Sequence, residues 1–461
     1  MAIVNTIFST LGNNSSLWTI AAKDGIETVG RTAMAYKEGS KTSKKFGKLE
    51  AREKLIEANA TSLIWLGGIP ALKKIFDTFY TNKKYGFKQF KEYGTDALAK
   101  TDIRLLDPAS PQALKLENIK DTNLIPHVKK ILDDPKKFKA TFLKRSMITT
   151  LIPIALVGYI LPKTVYAFTH KIIGMQKRNE LRKAYKNQQA NKEHIINGTP
   201  AFATFMGKAN RTNLAFHGKL ENLSTLFTHP DKNMIMVDGG ILAGRAGSSR
   251  NFQEACERTI YELGYIFFLY CGGKYVAKGL EALTKKFGGI PTGLDAKLLQ
   301  DKKFTDNLVN IAKDKNLAQK AVEFAEHNEK EIIDLIDKNL KVNGGKFSNL
   351  TLQAAQQTGL IDVVNGARNP FKFIETKEIA ALNKNLKEFV GTLAKSANPK
   401  GLIKKAKMLK RVSIFANLAI CSTALAYGLP KIQYLYRSMV SQNSVAPGLK
   451  KYYNEEQQTE A

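Results

Sequence analysis

Among the uncharged stretches of this chain, four apolar runs stand out: 58–72, 146–162, 263–273 and 412–430. A helix that crosses a bilayer needs about 20 apolar residues, with roughly 17 as the lower end. The second and fourth stretches, 17 and 19 residues long, reach it. Lys163 and Lys431, immediately after them, can lengthen each span by snorkelling. The first and third, at 15 and 11 residues, fall short and read as buried core helices, re-entrant segments or interfacial segments. Each short run ends in a glycine pair, Gly67-Gly68 and Gly272-Gly273, and Gly67-Gly68-Ile69-Pro70 should break or kink a helix. Between the third and fourth runs the pattern changes. Asp301–Lys341 has a helical period and nearly balanced charge, and Asn343-Gly344-Gly345 reads as a helix stop. Ile379, Leu382, Leu386, Phe389 and Leu393 form one apolar stripe on a helix, a core face before it is a partner-binding face. The expected fold class is all-α.

The order of these runs repeats. Asp24-Gly25-x4-Gly30-Arg31 recurs as Asp238-Gly239-x4-Gly244-Arg245. Glu50-Ala51-x-Glu53-Lys54-x-Ile56 recurs as Glu254-Ala255-x-Glu257-Arg258-x-Ile260, and each copy leads into a short run closed by its glycine pair. Leu161-Pro162-Lys163-x-x-Tyr166-x-Phe168 recurs as Leu429-Pro430-Lys431-x-x-Tyr434-x-Tyr436 at the end of each long run. Three matches in one order, each placed alike around an apolar run, point to an internal duplication. The first repeat spans 1–190, the second begins over 191–288 and ends over 399–461, and a near-neutral helical insert occupies 289–398. Each half thus has a short and a long apolar helix, and the chain closes on a polar tail.

Charge sharpens the picture. The chain of 461 residues holds 71 Lys plus Arg against 41 Asp plus Glu, a formal charge of +30, and only 13 of those cations are arginine. Lysine is a hydrated point charge, whereas arginine forks onto phosphates and base edges. An excess built from lysine suits diffuse attraction to an anionic membrane surface better than sequence-reading of nucleic acid. The basic loops joining the two runs within each half fall on the cytoplasmic side by the positive-inside rule, although loops this long obey it weakly. Cys256, Cys271 and Cys421 have no CxxC spacing and read as small buried hydrophobes. The N-terminus lacks the basic start of a secretory signal.

Candidate chemistry is sparse. The stretch 237–250, containing Gly239, Gly240, Gly244, Arg245, Gly247, Ser248, Ser249 and Arg250, reads as a glycine-rich loop entering a helix capped by Asn251 with Glu254 three residues on. Free N–H groups there, flanked by two arginines, are an anion-site candidate, but neither GxxxxGK[ST] nor GxGxxG is present and a packing turn is the favoured reading. Arg31 and Arg245 each follow an aspartate, Asp24 and Asp238, by two helical turns. They are expected to bridge to Glu50 and Glu53, and to Glu254 and Glu257, as structural pairs. Glu57 and Glu262, at the entry of the short runs, read as helix N-terminal acids before they read as members of a polar pathway. Pro162-Lys163 and Pro430-Lys431, with their aromatic neighbours, read as exits from a bilayer. No HExxH, Cys-His pairing or G-x-S-x-G appears, so no catalytic residue, metal or cofactor is assigned.

Three function classes remain in play. A non-enzymatic membrane protein, scaffold or structural, fits best, with its lysines toward anionic lipid. A transporter or channel built from a parallel repeat is the next, and would gather Glu57, Glu262, Lys163 and Lys431 around one cavity. A soluble polyanion- or nucleic-acid-binding protein would bury all four runs in a core. The insert offers a protein-partner surface in any of these.

Overall fold

In a computed structural model the chain is 83% helix and 1% strand, an all-α protein. The structure describes residues 17–86, 90, 93, 102–189, 230–313, 327–341, 346–440 and 444–460. The N-terminal segment read for a signal and Asn343-Gly344-Gly345 lie outside the described residues.

Two helical hairpins open the two halves of the chain. Helix α1 (Leu17–Gly39) turns back into α2 (Lys44–Tyr85). After α3 (Ile125–Asp133), helix α4 covers 135–189. In the second half α5 (Pro230–Gly247) turns back into α6, 252–288. Asn251 caps α6 as expected, its Oδ1 accepting the Glu254 N–H at 2.9 Å, and the Glu254 carboxylate accepts the Arg250 N–H at 2.8 Å.

The long helices do not break where the sequence suggested. Gly67-Gly68 lies in a π turn, Ile64–Gly68, and α2 continues through Pro70. Similar π turns occur at Ile154–Ile160 in α4, Phe267–Gly272 in α6 and Ala424–Gly428 in α12 (Pro399–Val440). Pro70, Pro162 and Pro430 each stand two residues beyond one. A proline ring clashes with the carbonyl four residues back and lacks an N–H for it. A widened turn at that carbonyl absorbs both faults, so the helix passes. The first apolar run is therefore part of one uninterrupted helix, and α2, α4 and α12 are each long and apolar enough to cross a membrane.

At one end of these helices sits a second body. The stripe residues Ile379, Leu382, Leu386, Phe389 and Leu393 lie on α11 (Thr376–Ala394) and are all buried, packed among α7 (Ala296–Gln300), α8 (Lys302–Lys313), α9 (Glu329–Lys341) and α10 (Lys346–Gln357). A two-residue hairpin, Val363–Val364 with Ala367–Arg368, turns at Asn365-Gly366, both at positive φ. This insert does not stand alone. Phe371 meets Phe90 and Tyr93 edge-on, joining it to a core of Tyr85, Leu105, Leu124 and Phe138 from the first half. The Gln112 amide donates to Ile374 O at 2.9 Å and accepts the Ile374 N–H at 2.8 Å. The two regions between long helices therefore form one cap. The chain ends on α13 (Lys450–Glu460), whose Glu456 pairs with Lys45 at 3.0 Å.

Candidate functional site

The repeated motifs converge where α1, α2, α5 and α6 meet. A helix rises 1.5 Å per residue, so acids three or four apart share a face. Glu50, Glu53 and Glu57 on α2 and Glu254, Glu257 and Glu262 on α6 all turn inward and are buried.

Two arginines hold four of these acids. Arg437 of α12 reaches Glu50 and Glu257, both at 2.8 Å. Arg250, in the turn before α6, reaches Glu53 and Glu254, both at 2.9 Å. Arg258 pairs with Glu57 at 2.9 Å, both side chains 2% exposed. Arg245 takes Glu262 at 2.5 Å and the Thr61 hydroxyl at 2.7 Å. Arg31 pairs with Glu27 at 3.5 Å and stacks over Tyr261, whose hydroxyl donates to the same carboxylate. Asp24 accepts from Ser62 and, at 3.0 Å, from Tyr265; Asp238 accepts from Tyr270 at 2.6 Å. Aromatic rings line the cluster, with Arg250 4.2 Å from the Tyr166 ring and Arg437 4.6 Å from that of Tyr434. Pairing offsets much of what it costs to bury these charges, because burying an isolated ion costs far more than any one hydrogen bond returns.

Three expectations need correction. The stretch 237–247 is not a loop: it lies within α5, and only 248–251 turns. Gly239 and Gly247 face open space, Gly240 packs on Ile154, and Ser248 donates to Gly158 O at 3.2 Å. Arg245 and Arg250 are both occupied by carboxylates. Arg31 and Arg245 bridge not to the glutamates of the second motif but to Glu27 and Glu262. Glu57 and Glu262 do not mark helix starts; they are mid-helix members of the paired network. Pro162 and Pro430 are buried, whereas Lys163 and Lys431 are exposed, each over a tyrosine four residues earlier, Tyr159 and Tyr427. Arg437, Glu27 and Tyr261 were missed. The signal for Arg437 was there: arginine is scarce in this chain, yet Arg31, Arg145, Arg245, Arg258 and Arg437 are all buried.

The close approaches are reciprocal. Gly30 of α1 meets the π turn of α12, where an added Cβ would lie 2.8 Å from Ala426 O and 2.9 Å from its Cα. Gly244 of α5 meets the π turn of α4, where a Cβ would lie 2.9 Å from Gly158 Cα. Only glycine permits either crossing.

The outer faces of the same helices are apolar. Leu63, Leu151, Leu263, Phe415 and Ile432 are at least half exposed. Among the described residues no group of His, Cys, Asp and Glu is placed to hold a metal ion. No family model matches the chain, and comparison with curated proteins and with solved structures gives no significant match.

Proposed function

We propose that this chain is a non-enzymatic integral membrane protein, a helical scaffold whose long helices face lipid and whose cap and lysine-rich flanks face an anionic leaflet. The observation that carries this reading is the inside-out bundle, with paired charges buried and leucine, isoleucine and phenylalanine turned outward. In water such a surface would be a large exposed apolar area of the kind that marks membrane or protein contact. In hydrocarbon the arrangement suits both partners, since ionisable residues there turn inward and pair. The exposed Lys163 and Lys431, each beside a tyrosine, suit snorkelling at the interface. Their exposure on the outer face speaks against a conduit in which they would join the buried Glu57 and Glu262.

We further propose that the two halves are copies of one ancestral unit, wound around each other. Gly30 and Gly244 hold matching places in the repeated motif, and their contacts, Ala426 and Gly158, each stand four residues before the repeated proline. Exchanging the copies turns the Glu50–Arg437–Glu257 bridge into the Glu254–Arg250–Glu53 bridge, although the two arginines themselves come from unrelated positions. Each copy completes the other's packing, as in an isologous dimer fused into one chain.

Fractionation of expressed protein tests the membrane assignment. Retention in the pellet through high salt and alkaline carbonate is expected. Release by salt alone, or residence in the soluble fraction, would overturn it.

A further inference from the structure

The two helices that rise into the cap end alike. Helix α2 closes on Lys83-Lys84-Tyr85-Gly86, and α6 on Lys285-Lys286-Phe287-Gly288-Gly289. Both stop at a left-handed glycine, φ 69° at Gly86 and 64° at Gly289, whose N–H donates to the carbonyl of Asn82 or Lys285. Lysines in a last turn complement the carbonyl end of the helix. Outward apolar side chains accompany them, with Phe79 68% and Phe287 80% exposed. Each end thus carries exposed aromatic and lysine side chains together beside the polar cap, as a rim that begins at the exposed Lys73 and Lys74 on α2 and at Lys274 and Lys278 on α6.

The rims differ in what occupies them. At α6, Lys285 is paired with Glu388. At α2, Lys84 has no acid partner among the described residues; its Nζ donates to Thr141 Oγ1 at 3.0 Å and lies 5.6 Å and 5.3 Å from the Tyr80 and Tyr85 rings. Beside it opens a cleft of about 410 Å³ whose charged lining is Lys84, Lys129, Lys130 and Lys137 against Asp133 and Asp134. Asp134 is committed to capping α4, accepting the Lys137 N–H at 2.9 Å. Lys130 Nζ donates to the backbone carbonyl of Lys84 at 2.8 Å, which anchors its ammonium group to the same helix end.

We propose that this cleft binds the phosphate of an anionic phospholipid headgroup, with the acyl chains lying along the outward face of Ile75 and Phe79. The assignment rests on the membrane reading above. The volume falls within the range of small-ligand sites, roughly 300–1,000 Å³. Lysines, as mobile point charges, suit a headgroup phosphate that must be held without a fixed fork geometry. Basic pockets where helices leave the bilayer are where anionic headgroups are bound. The matching rim at α6 is less cationic, because Glu388 already pairs with Lys285 there.

The test uses the purified full chain in detergent, with native mass spectrometry to count retained lipid. Phosphatidylglycerol is compared with phosphatidylcholine, and inorganic phosphate is added as competitor. The triple variant Lys129→Gln, Lys130→Gln, Lys137→Gln is expected to lose phosphatidylglycerol retention by at least about tenfold. The variant Lys302→Gln, Lys303→Gln, altered at exposed positions of the cap outside the cleft lining, is expected to keep it. An Arg triple at 129, 130 and 137 that restores retention shows that charge, not misfolding, explains the loss. Equal retention by the Gln triple and the parent chain would overturn the proposal. Displacement of the lipid by an equal concentration of inorganic phosphate would also overturn it, assigning the cleft to free phosphate. A chain that floats with phosphatidylcholine liposomes but shows no preference for phosphatidylglycerol loses the cleft assignment and keeps the membrane reading. A chain that floats with neither loses both.

Discussion

In the cap, Leu298, Phe304, Leu386 and Phe389 close on one another at zero or near-zero exposure, and the lysines stand outside. In the bundle the order is reversed. Glu50, Glu57, Arg258 and Arg437 are buried, and Leu63, Leu151 and Leu263 stand outside. The cap is held by the transfer of apolar surface out of water, about 25 cal/mol for each Å². The bundle cannot gain in that way from leucines left on its surface. Its specificity comes from pairs that tolerate only one arrangement, and from glycine crossings that set how closely the helices approach. One chain thus contains two cores of opposite polarity.

The sharpest way to break this contrast is Arg437→Leu, which strands Glu50 and Glu257 in the interior. Loss of one partner of a buried pair costs about 3–5 kcal/mol. A correspondingly large fall in the thermal midpoint of the detergent-solubilised protein is expected. Arg104→Leu, removing half-exposed pairs to Asp102 and Glu375 in the cap, should cost only about 0–1 kcal/mol. If the two variants melt together, the buried network does not hold the bundle.

Next in size is a paired leucine truncation. Leu386→Ala, at 0% exposure, should cost about 2–5 kcal/mol in denaturant unfolding. Leu151→Ala, 50% exposed on α4, should stay within roughly 0.5 kcal/mol. Comparable losses would mean that protein covers the outer face of the bundle. Smaller again is the effect of filling a crossing. Gly30→Leu forces α1 away from Ala426 and should cost about 1–3 kcal/mol, whereas Gly25→Leu, with nothing within 4 Å, should be tolerated. Equal melting temperatures for these two would remove the close approach as a determinant of the bundle.

Much of this was legible from residue order. The uncharged runs lie on long helices, the stripe from Ile379 to Leu393 is core, and Asn251 with Glu254 caps α6. Periodicity reads local structure well because its cause is local. The continuity of α2 through Gly67-Gly68 and Pro70 was hidden, because a π turn has no residue signature of its own and its effect on the next proline is felt one turn later. The glycines of α5 read as a loop, since nothing nearby in sequence reveals that their missing side chains admit Ile154 and Gly158 from another helix. Partner choice was hidden for the same reason. Arg31 and Glu27 are neighbours on one helix turn, but Glu50 meets Arg437 only through the tertiary fold.

That last bridge imposes an order on synthesis. Glu50 and Arg437 are separated by 387 positions. At a translation rate of about 5–20 residues per second, roughly 20 to 80 seconds pass between the appearance of the acid and of its counter-ion. If the bundle lies in hydrocarbon, as proposed above, the first hairpin exists for that interval with carboxylates whose counter-ion has not yet been made. On that reading the bundle is sealed only when its last long helix, which carries Arg437, arrives. A chain truncated before residue 437 keeps Glu50 and Glu257 without the arginine that bridges them.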